Sequence, residues 1–416
     1  MKIAHVVRRF VFQEWGGTEN VIWNSALTLK KLGVESEILS TSALDKDGVE
    51  TRNGITVRRF PYFYPYFPLP EHARREMDKK GGNPFSFKLY KYLLDNDFDI
   101  IHVHSGARIA EMGIGVAKKK GIPCVMSLHG GFVDIPQKEM QELIAPTAHK
   151  LPYGGIIERL LGWSKDLMAG VDGVICVGRN EYNKLSEKYP DKLVIYLPNG
   201  VDTKKFNRLQ AELPDCRELW KIPKDDRLIL CVSRIDYQKN QLQLVQLLGD
   251  LRKRGDNVHV LLIGPITAKW YEEEIRLQAR KMGVSEHLTV IPGLSPDDPL
   301  LIAAYKEADV FVLPSQHEPF GIVVLEAWSA GIPVIGSDIG GLGLLIKDGV
   351  NGLKFVQGND ESLLAAYDRL FVTEGLKEAL VKQAAEDVEA YSWETVAQSL
   401  VGIYNKVKAT VAGETQ

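Results

Sequence analysis

Short apolar runs alternate with longer stretches whose apolar positions recur at helical spacing, and the alternation continues almost from end to end. The runs fall near residues 3–7, 37–40, 55–60, 99–104, 123–128, 173–177 and 193–197, and again near 228–233, 258–263, 288–291, 310–313, 333–336 and 353–356. Near-continuous Val/Ile/Leu runs separated by helices are the pattern of parallel sheets buried on both faces. The predicted fold class is therefore α/β, with two doubly wound sheets. At 416 residues the chain exceeds one ordinary core and suits two domains of about 200 residues each. The turn-rich Pro198-Asn199-Gly200-Val201-Asp202 separates the two sets of runs, giving domains at 1–198 and 199–391. A last helical stretch, 392–416, follows a completed second sheet.

In open sheets of this kind ligands bind beyond the carboxyl ends of the strands, so polar residues directly after strands are the ones to inspect. They are His102, His104 and Ser105; His129, Gly130 and Gly131; the stretch Ser233 to Asn240; Gly264-Pro265; and Glu318, all expected to face one cleft. Glu318 and Glu326 flank a strand-to-helix turn, and a helix is predicted to begin near Phe320 and stop at Gly331. Its free N–H groups suit a phosphate or a polarised sugar oxygen. Glu326, roughly 7 to 8 Å further along at 1.5 Å per residue, is placed to accept vicinal ribose hydroxyls. Arg234 and Lys239 put a fork-shaped and a point cation after a strand, as diphosphate binding without a metal requires.

Gly16-Gly17-Thr18-Glu19 closes the loop after the first run; its glycines let the backbone approach a ligand, and Thr18 is the expected helix cap. No Gly-x-Gly-x-x-Gly follows that run, and neither a phosphate-binding Gly-x-x-x-x-Gly-Lys-Ser/Thr nor a Gly-x-Ser-x-Gly elbow occurs. The triplets Asp45 to Asp47, Asp95 to Asp97 and Asp97 to Asp99 lie in a loop or before a strand, so they are rejected as metal-diphosphate sites. The histidines lack zinc spacing, and no metal site is expected.

Composition adds compartment and charge. Apolar residues at 45% and charged ones at 25% fit a soluble globular chain, and no apolar run is long enough to span a bilayer. The N-terminus carries Arg8 and Arg9 inside its first run, so no signal peptide is expected. Cys124, Cys176, Cys216 and Cys231 have no paired spacing and read as reduced thiols of a cytoplasmic protein. Residues 1–198 hold 27 Lys+Arg against 23 Asp+Glu, leaving 24 against 31 for the rest.

Together these residues resemble the retaining glycosyltransferases of GT-B architecture, two Rossmann-like domains facing across a cleft, known as family 4 or glycosyl transferases group 1. The resemblance rests on Gly16-Gly17-Thr18-Glu19, Asp99 to Ser105, His129-Gly130, Asn199-Gly200-Val201-Asp202, Arg234 with Lys239, Glu318 with Glu326, and Ala330-Gly331-Ile332-Pro333-Val334. Ser392-Trp393 resembles the start of the family's terminal helix, which crosses back onto the first domain. It implies an acceptor-side first domain and a donor-side second, with catalytic roles for Glu318, His129, Arg234 and Lys239. Arg234 and Lys239 would hold the diphosphate, Glu326 the ribose and Glu318 the sugar hydroxyls. The backbone at Phe320, Gly321 and Ile322 would meet the donor, His129 would lie near the reacting sugar, and Gly16 and Gly17 would close over the phosphates. No cofactor is required: a UDP- or GDP-type nucleotide sugar is the substrate, and an acceptor hydroxyl attacks with retention while the leaving diphosphate takes its proton. Glycan, glycolipid or small-glycoside synthesis is the implied setting. The chain departs from the pattern after Gly340-Gly341, where Gly343-Leu344 stands in place of a frequent Glu.

Between Thr51 and Lys91 nine bases face three acids, and Phe60 to Pro68 is rich in rings and prolines. The prolines predict a loop followed by a helix. Either the rings pack on their own domain, or His104, Arg74, Arg75, Lys79 and Lys80 form the acceptor side, for an anionic or lipid-linked acceptor or an anionic membrane surface. No nucleic-acid partner is expected. The alternatives are a GT-B epimerase or hydrolase and a non-catalytic nucleotide-sugar-binding protein.

Overall fold

The structure, a computed structural model, describes residues 1–12, 16–104, 107–130, 145–147, 150–163, 166–206 and 212–414. Ser105 and Gly131 lie outside the described residues. The chain divides into two units, Met1–Asn199 with Trp393–Gln416, and Gly200–Ser392.

The first unit contains β1 (Lys2–Arg9), β2 (Glu35–Thr41), β3 (Gly48–Arg52), β4 (Ile55–Phe60), β5 (Tyr66–Phe67), β6 (Ile100–His104), β7 (Cys124–Leu128), β8 (Leu151–Pro152), β9 (Gly173–Cys176) and β10 (Val194–Tyr196). Eight of these form one sheet in the order β10-β9-β7-β6-β1-β2-β4-β3, and β5 pairs with β8 in a second, two-stranded sheet. The sheet reverses direction of growth between β1 and β6, where His5 pairs in register with His102. One face packs Ala4, Val6, Ile101 and Val103 against Ile109, Met112 and Val116 of helix Arg108–Lys120. The other packs Ile3, Ile100, Val125 and Ile175 against Ala397, Leu400, Tyr404 and Val407, an apolar stripe on helix Trp393–Glu414. Lys408 adds an ion pair to Asp99 at 2.7 Å.

Two expectations change here. The sheet is not wholly parallel: β3 runs antiparallel to β4. Between them Asn53 and Gly54 both have positive φ, 49° and 72°, the two-residue turn that fits the twist of a hairpin. Val49 and Glu50 on this edge strand are solvent-facing or nearly so, consistent with a strand that needs no continuous apolar run. Nor does Thr18 cap its helix. Helix Gly17–Lys31 starts one residue before it, with Gly16 as the capping position and Gly16 O accepting the N–H of Asn20 at 3.0 Å. Glu19 turns back to the N–H of Gly16, satisfying a donor that a threonine inside the first turn cannot reach.

The second unit contains β11 (Arg227–Val232), β12 (Val258–Ile263), β13 (Leu288–Ile291), β14 (Val310–Leu313), β15 (Val334–Ser337) and β16 (Leu353–Phe355). Their order is β13-β12-β11-β14-β15-β16, and every pair is parallel. β12 is buried at all six positions, which explains its unbroken apolar reading. Growth reverses between β11 and β14, so the loops after these two strands share the crevice where such sheets bind ligands. Among the described residues no helix is long and apolar enough to cross a membrane.

Candidate functional site

The loop after β11 is built by its own polar side chains. Asp236 accepts the N–H of Gln238 at 3.0 Å and the hydroxyl of Thr267 at 3.0 Å, starting the short turn Tyr237–Lys239. Fully buried Gln241 reaches back to donate to Ser233 Oγ at 2.9 Å and Arg234 O at 2.7 Å. Gln238 O accepts the N–H of Gln316 at 2.7 Å, tying this loop to the one after β14. Lys239 is thereby brought to Glu318, Nζ to Oε2 at 2.7 Å, with both side chains 13% exposed. Arg234 is not drawn into that pair. Half exposed, it lies 3.2 Å from Asp236 and donates to Gln238 at 3.1 Å.

Beyond Glu318 the helix begins later than the spacing suggests. It spans Ile322–Ser329, because Gly321 at φ 96° takes the capping position and Phe320 is buried against Tyr391 before it. The first bond of the turn is Val324 N–H to Gly321 O at 3.0 Å, so the N–H groups of Ile322 and Val323 precede it at the positive end of the helix. Glu326, on the same helix, accepts the Tyr305 hydroxyl at 2.9 Å and lies 3.8 Å from Lys205. Burial and Glu326 together push the Tyr305 phenol well above its ordinary range, so it stays a donor. Neither Tyr305 nor Lys205 carries a sequence signal for this role.

Gly340 and Gly341 hold the floor of this turn. A Cβ on Gly341 would lie 2.2 Å from Pro319 O and 2.6 Å from Phe320 N, and one on Gly340 2.8 Å from Glu318 O. Gly341 N–H bonds Glu318 O at 2.8 Å, so backbone lies on backbone. Gly341→Ala is therefore expected to cost about 1–3 kcal/mol of stability by overpacking and to displace 318–320. Thermal melts of this variant check it; an unaltered melting temperature would show that the contact is not tight.

In the first unit a row of histidines climbs one face of the sheet toward its carboxyl edge. His5 Nδ1 lies 3.0 Å from His104 Nε2, and His104 Nδ1 lies 3.1 Å from His129 Nε2. His102 is held between Tyr404 OH and Ser127 Oγ, each at 2.7 Å. Burial lowers all four, His5 and His129 to about 4 and His102 and His104 well below the usual value. Neutral rings each supply one donor and one acceptor, so only two proton arrangements satisfy the chain from His5 through His104 to His129. His129 Nδ1 and His5 Nε2, its two ends, are buried without a hydrogen-bond partner among the described residues.

Gly16 and Gly17 begin the helix after β1, with Gly17 exposed. Helix Glu71–Lys80 follows the proline-rich segment and exposes Arg74, Arg75 and Lys79. Arg74 lies over the Tyr62 ring at 5.0 Å, and Arg75 pairs with Glu71 at 2.7 Å. A pocket of about 580 Å³ is lined there by Lys46, Tyr62, Arg74, Arg75 and Asp78 among others. The rings of the segment pack internally: Phe63 stacks on Phe85, and Phe85 on Trp163. Four of the five aspartates of the rejected triplets are engaged by a base, Asp45 by Arg59 at 3.0 Å, Asp95 by Lys91 at 2.7 Å, Asp97 by Lys120 at 3.4 Å and Asp99 by Lys408. Histidine spacing along the chain did not show what the fold assembles, however: potential ligand atoms of His5, His102 and His104, and of Asp226, His259 and His287, converge in two groups.

Known proteins match across both units. The profile described as Glycosyl transferases group 1 matches residues 214–387, and that described as Glycosyltransferase Family 4 matches 15–205. An uncharacterized glycosyltransferase of Methanocaldococcus jannaschii is 30% identical over 97% of this chain and 98% of its own. A D-inositol 3-phosphate glycosyltransferase of Acidothermus cellulolyticus is 26% identical over 75% of this chain and 68% of its own. Among solved structures, Anabaena HepE in complex with UDP and glucose superposes with a TM-score of 0.71 at 16% identity, covering 98% of this chain and 100% of that one.

Proposed function

The chain belongs to the group 1 glycosyltransferases of GT-B fold, and on that premise we propose that it moves a sugar from a UDP- or GDP-type nucleotide sugar to an acceptor hydroxyl, with retention and without a metal in the reaction. The observation that carries the reading is the Lys239–Glu318 pair beside the N-terminus of helix Ile322–Ser329, with Glu326 on the same helix. In this reading the donor diphosphate draws Lys239 from Glu318 and meets the N–H groups of Ile322 and Val323. Glu318, released, accepts sugar hydroxyls, and Glu326, oriented by Tyr305, accepts those of the ribose. Arg234 swings from Asp236 to the leaving phosphates. The UDP and glucose held by Anabaena HepE support a nucleotide-sugar donor.

The first unit supplies the acceptor side. The pocket sets Lys46, Arg74 and Arg75 against Asp45, Glu71 and Asp78, so the anionic acceptor is supported instead by the D-inositol 3-phosphate named for one relative. Exposed Phe67 and Leu151, paired across β5 and β8, and the bases of helix Glu71–Lys80 support peripheral contact with an anionic membrane. His129, His104, Gly16 and Gly17 are assigned to the reacting-sugar side.

A labelled nucleotide-sugar panel, with and without candidate acceptors, tests the reading. Product NMR is expected to show the donor's anomeric configuration retained, and turnover well below the melting temperature is expected to survive EDTA. Inversion would remove the retaining mechanism, recovery of an EDTA-lost rate by Mg²⁺ or Mn²⁺ would remove metal independence, and consumption of donor without acceptor would favour an epimerase or hydrolase.

A further inference from the structure

Asp226, His259 and His287 stand at the amino ends of three adjacent parallel strands: Asp226 just before β11, His259 second in β12, and His287 just before β13. This is the sheet edge opposite Arg234, Lys239 and Glu318, roughly 20 Å away by the rise of a six-residue strand. One ligand atom from each of the three residues lies within 4.8 Å of the other two. Asp226 Oδ2, His259 Nδ1 and His287 Nδ1 are each buried; among the described residues none has a hydrogen-bond partner, and Asp226 Oδ2 and His287 Nδ1 face each other only as an ion-pair contact at 3.5 Å. Three unsatisfied polar atoms converging in an interior are costly unless something sits among them.

Two of the remaining atoms face other groups, which leaves the converging ones toward the cluster. His259 Nε2 lies 2.9 Å from Thr289 Oγ1, which fixes the ring and leaves Nδ1 toward the cluster. Asp226 Oδ1 faces Arg252 at 3.5 Å, leaving Oδ2 3.5 Å from His287 Nδ1. That separation is close to the spacing of two ligands on a four-coordinate ion with bonds of about 2.0–2.1 Å. The Asp226 and His259 side chains are almost wholly buried, while His287 keeps a quarter of its side chain exposed, giving an entry path and room for a solvent ligand. The other histidine group differs. Both ring nitrogens of His102 and both of His104 are taken by Tyr404, Ser127, His5 and His129, leaving only His5 Nε2.

We infer that Asp226, His259 and His287 form a site for a divalent transition ion of zinc-like preference, with a structural role distinct from sugar transfer. Two imidazoles and one carboxylate select Zn²⁺ or Co²⁺ over Mg²⁺ and Ca²⁺, which favour all-oxygen shells. Bound, the ion would clamp β11, β12 and β13 together at their starts.

The test uses the full chain stripped with EDTA and dialysed free of chelator. Zn²⁺ at about 100 times its dissociation constant is expected to raise the melting temperature of one transition by roughly 5–10 °C, and Mg²⁺ to leave it unchanged. Co²⁺ is expected to give the visible ligand-field absorption of a four-coordinate site, displaced by Zn²⁺ in a one-to-one titration. His287→Gln should lose at least about 100-fold in affinity, and Thr289→Val, which removes only the orienting partner of His259, about 10-fold or more. Absence of a Zn²⁺ shift in the wild type, an equal shift in His287→Gln, or a crystal soaked in Zn²⁺ with only water between the three side chains would each overturn the assignment. None of these outcomes depends on the glycosyl-transfer reading.

Discussion

Lys239→Ala is expected to lower turnover on the order of 10² to 10³ fold, as when a preorganised donor to a developing charge is removed, and Arg234→Ala to do the same. The Lys239 variant carries a second penalty. It leaves the Glu318 carboxylate, 13% exposed and 2.7 Å from the vanished Nζ, as an unpaired acid beside the proposed diphosphate site. A purely structural pair would behave differently from a catalytic one, and a double-variant cycle separates them. If the pair only holds two loops together, Lys239→Ala and Glu318→Gln destabilise similarly and the double variant regains activity with stability. If Lys239 stabilises the leaving diphosphate, Lys239→Ala/Glu318→Gln regains melting temperature while its turnover stays well below that of Glu318→Gln alone. Initial rates with saturating donor, alongside thermal melts, decide between the two. Near-normal turnover in the Arg234→Ala/Lys239→Ala variant would remove the diphosphate assignment altogether.

The elements that sequence made legible are those whose pattern is local. β4, β12, β13 and β14 span the runs read at 55–60, 258–263, 288–291 and 310–313; β12 and β14 are buried at every position and have no reason to alternate, whereas β4 alternates and β13, at the sheet edge, is half-buried. β3 escaped because an edge strand lacks that run. Its signal was the Asn53-Gly54 turn, a hairpin mark that the search for parallel strands passed over. Helix starts were misplaced where a glycine took the cap: Gly16 before Thr18, and Gly321 after Phe320. Side-chain partners were the least visible. Tyr305 reaches Glu326 from a different helix, and Lys205 from a loop more than a hundred residues away in sequence. The two histidine groups depend on strand register, such as His5 opposite His102, which no spacing rule along the chain encodes.

The same register makes the first unit acid-sensitive. His5, His102 and His104 are 0%, 2% and 5% exposed, and burial holds His5 at about 4 and the other two well below the ordinary histidine value near 6.5. Between those limits the unfolded chain binds protons that the folded chain refuses, so stability rises with pH there and is lost as pH falls from about 6.5 toward 4. One such proton is worth about 1.4 kcal/mol per pH unit, and with His129, also lowered to about 4 by burial, four bring the slope toward about 5–6 kcal/mol per unit, against a total stability of about 5–15 kcal/mol. The second unit holds one comparable histidine, His259, also lowered to about 4 by burial, so its slope is shallower. Scanning calorimetry of the chelator-treated protein is expected to show two transitions that separate on acidification, with the steeper one belonging to the unit that contains His102 and Tyr404. Tyr404→Phe, which removes the hydroxyl 2.7 Å from His102 Nδ1, should move the steep transition and leave the other in place. Uptake of one proton or fewer when the first unit unfolds at pH 5.5 would mean that the histidines are charged in the fold and that the hydrogen-bonded row does not exist as described.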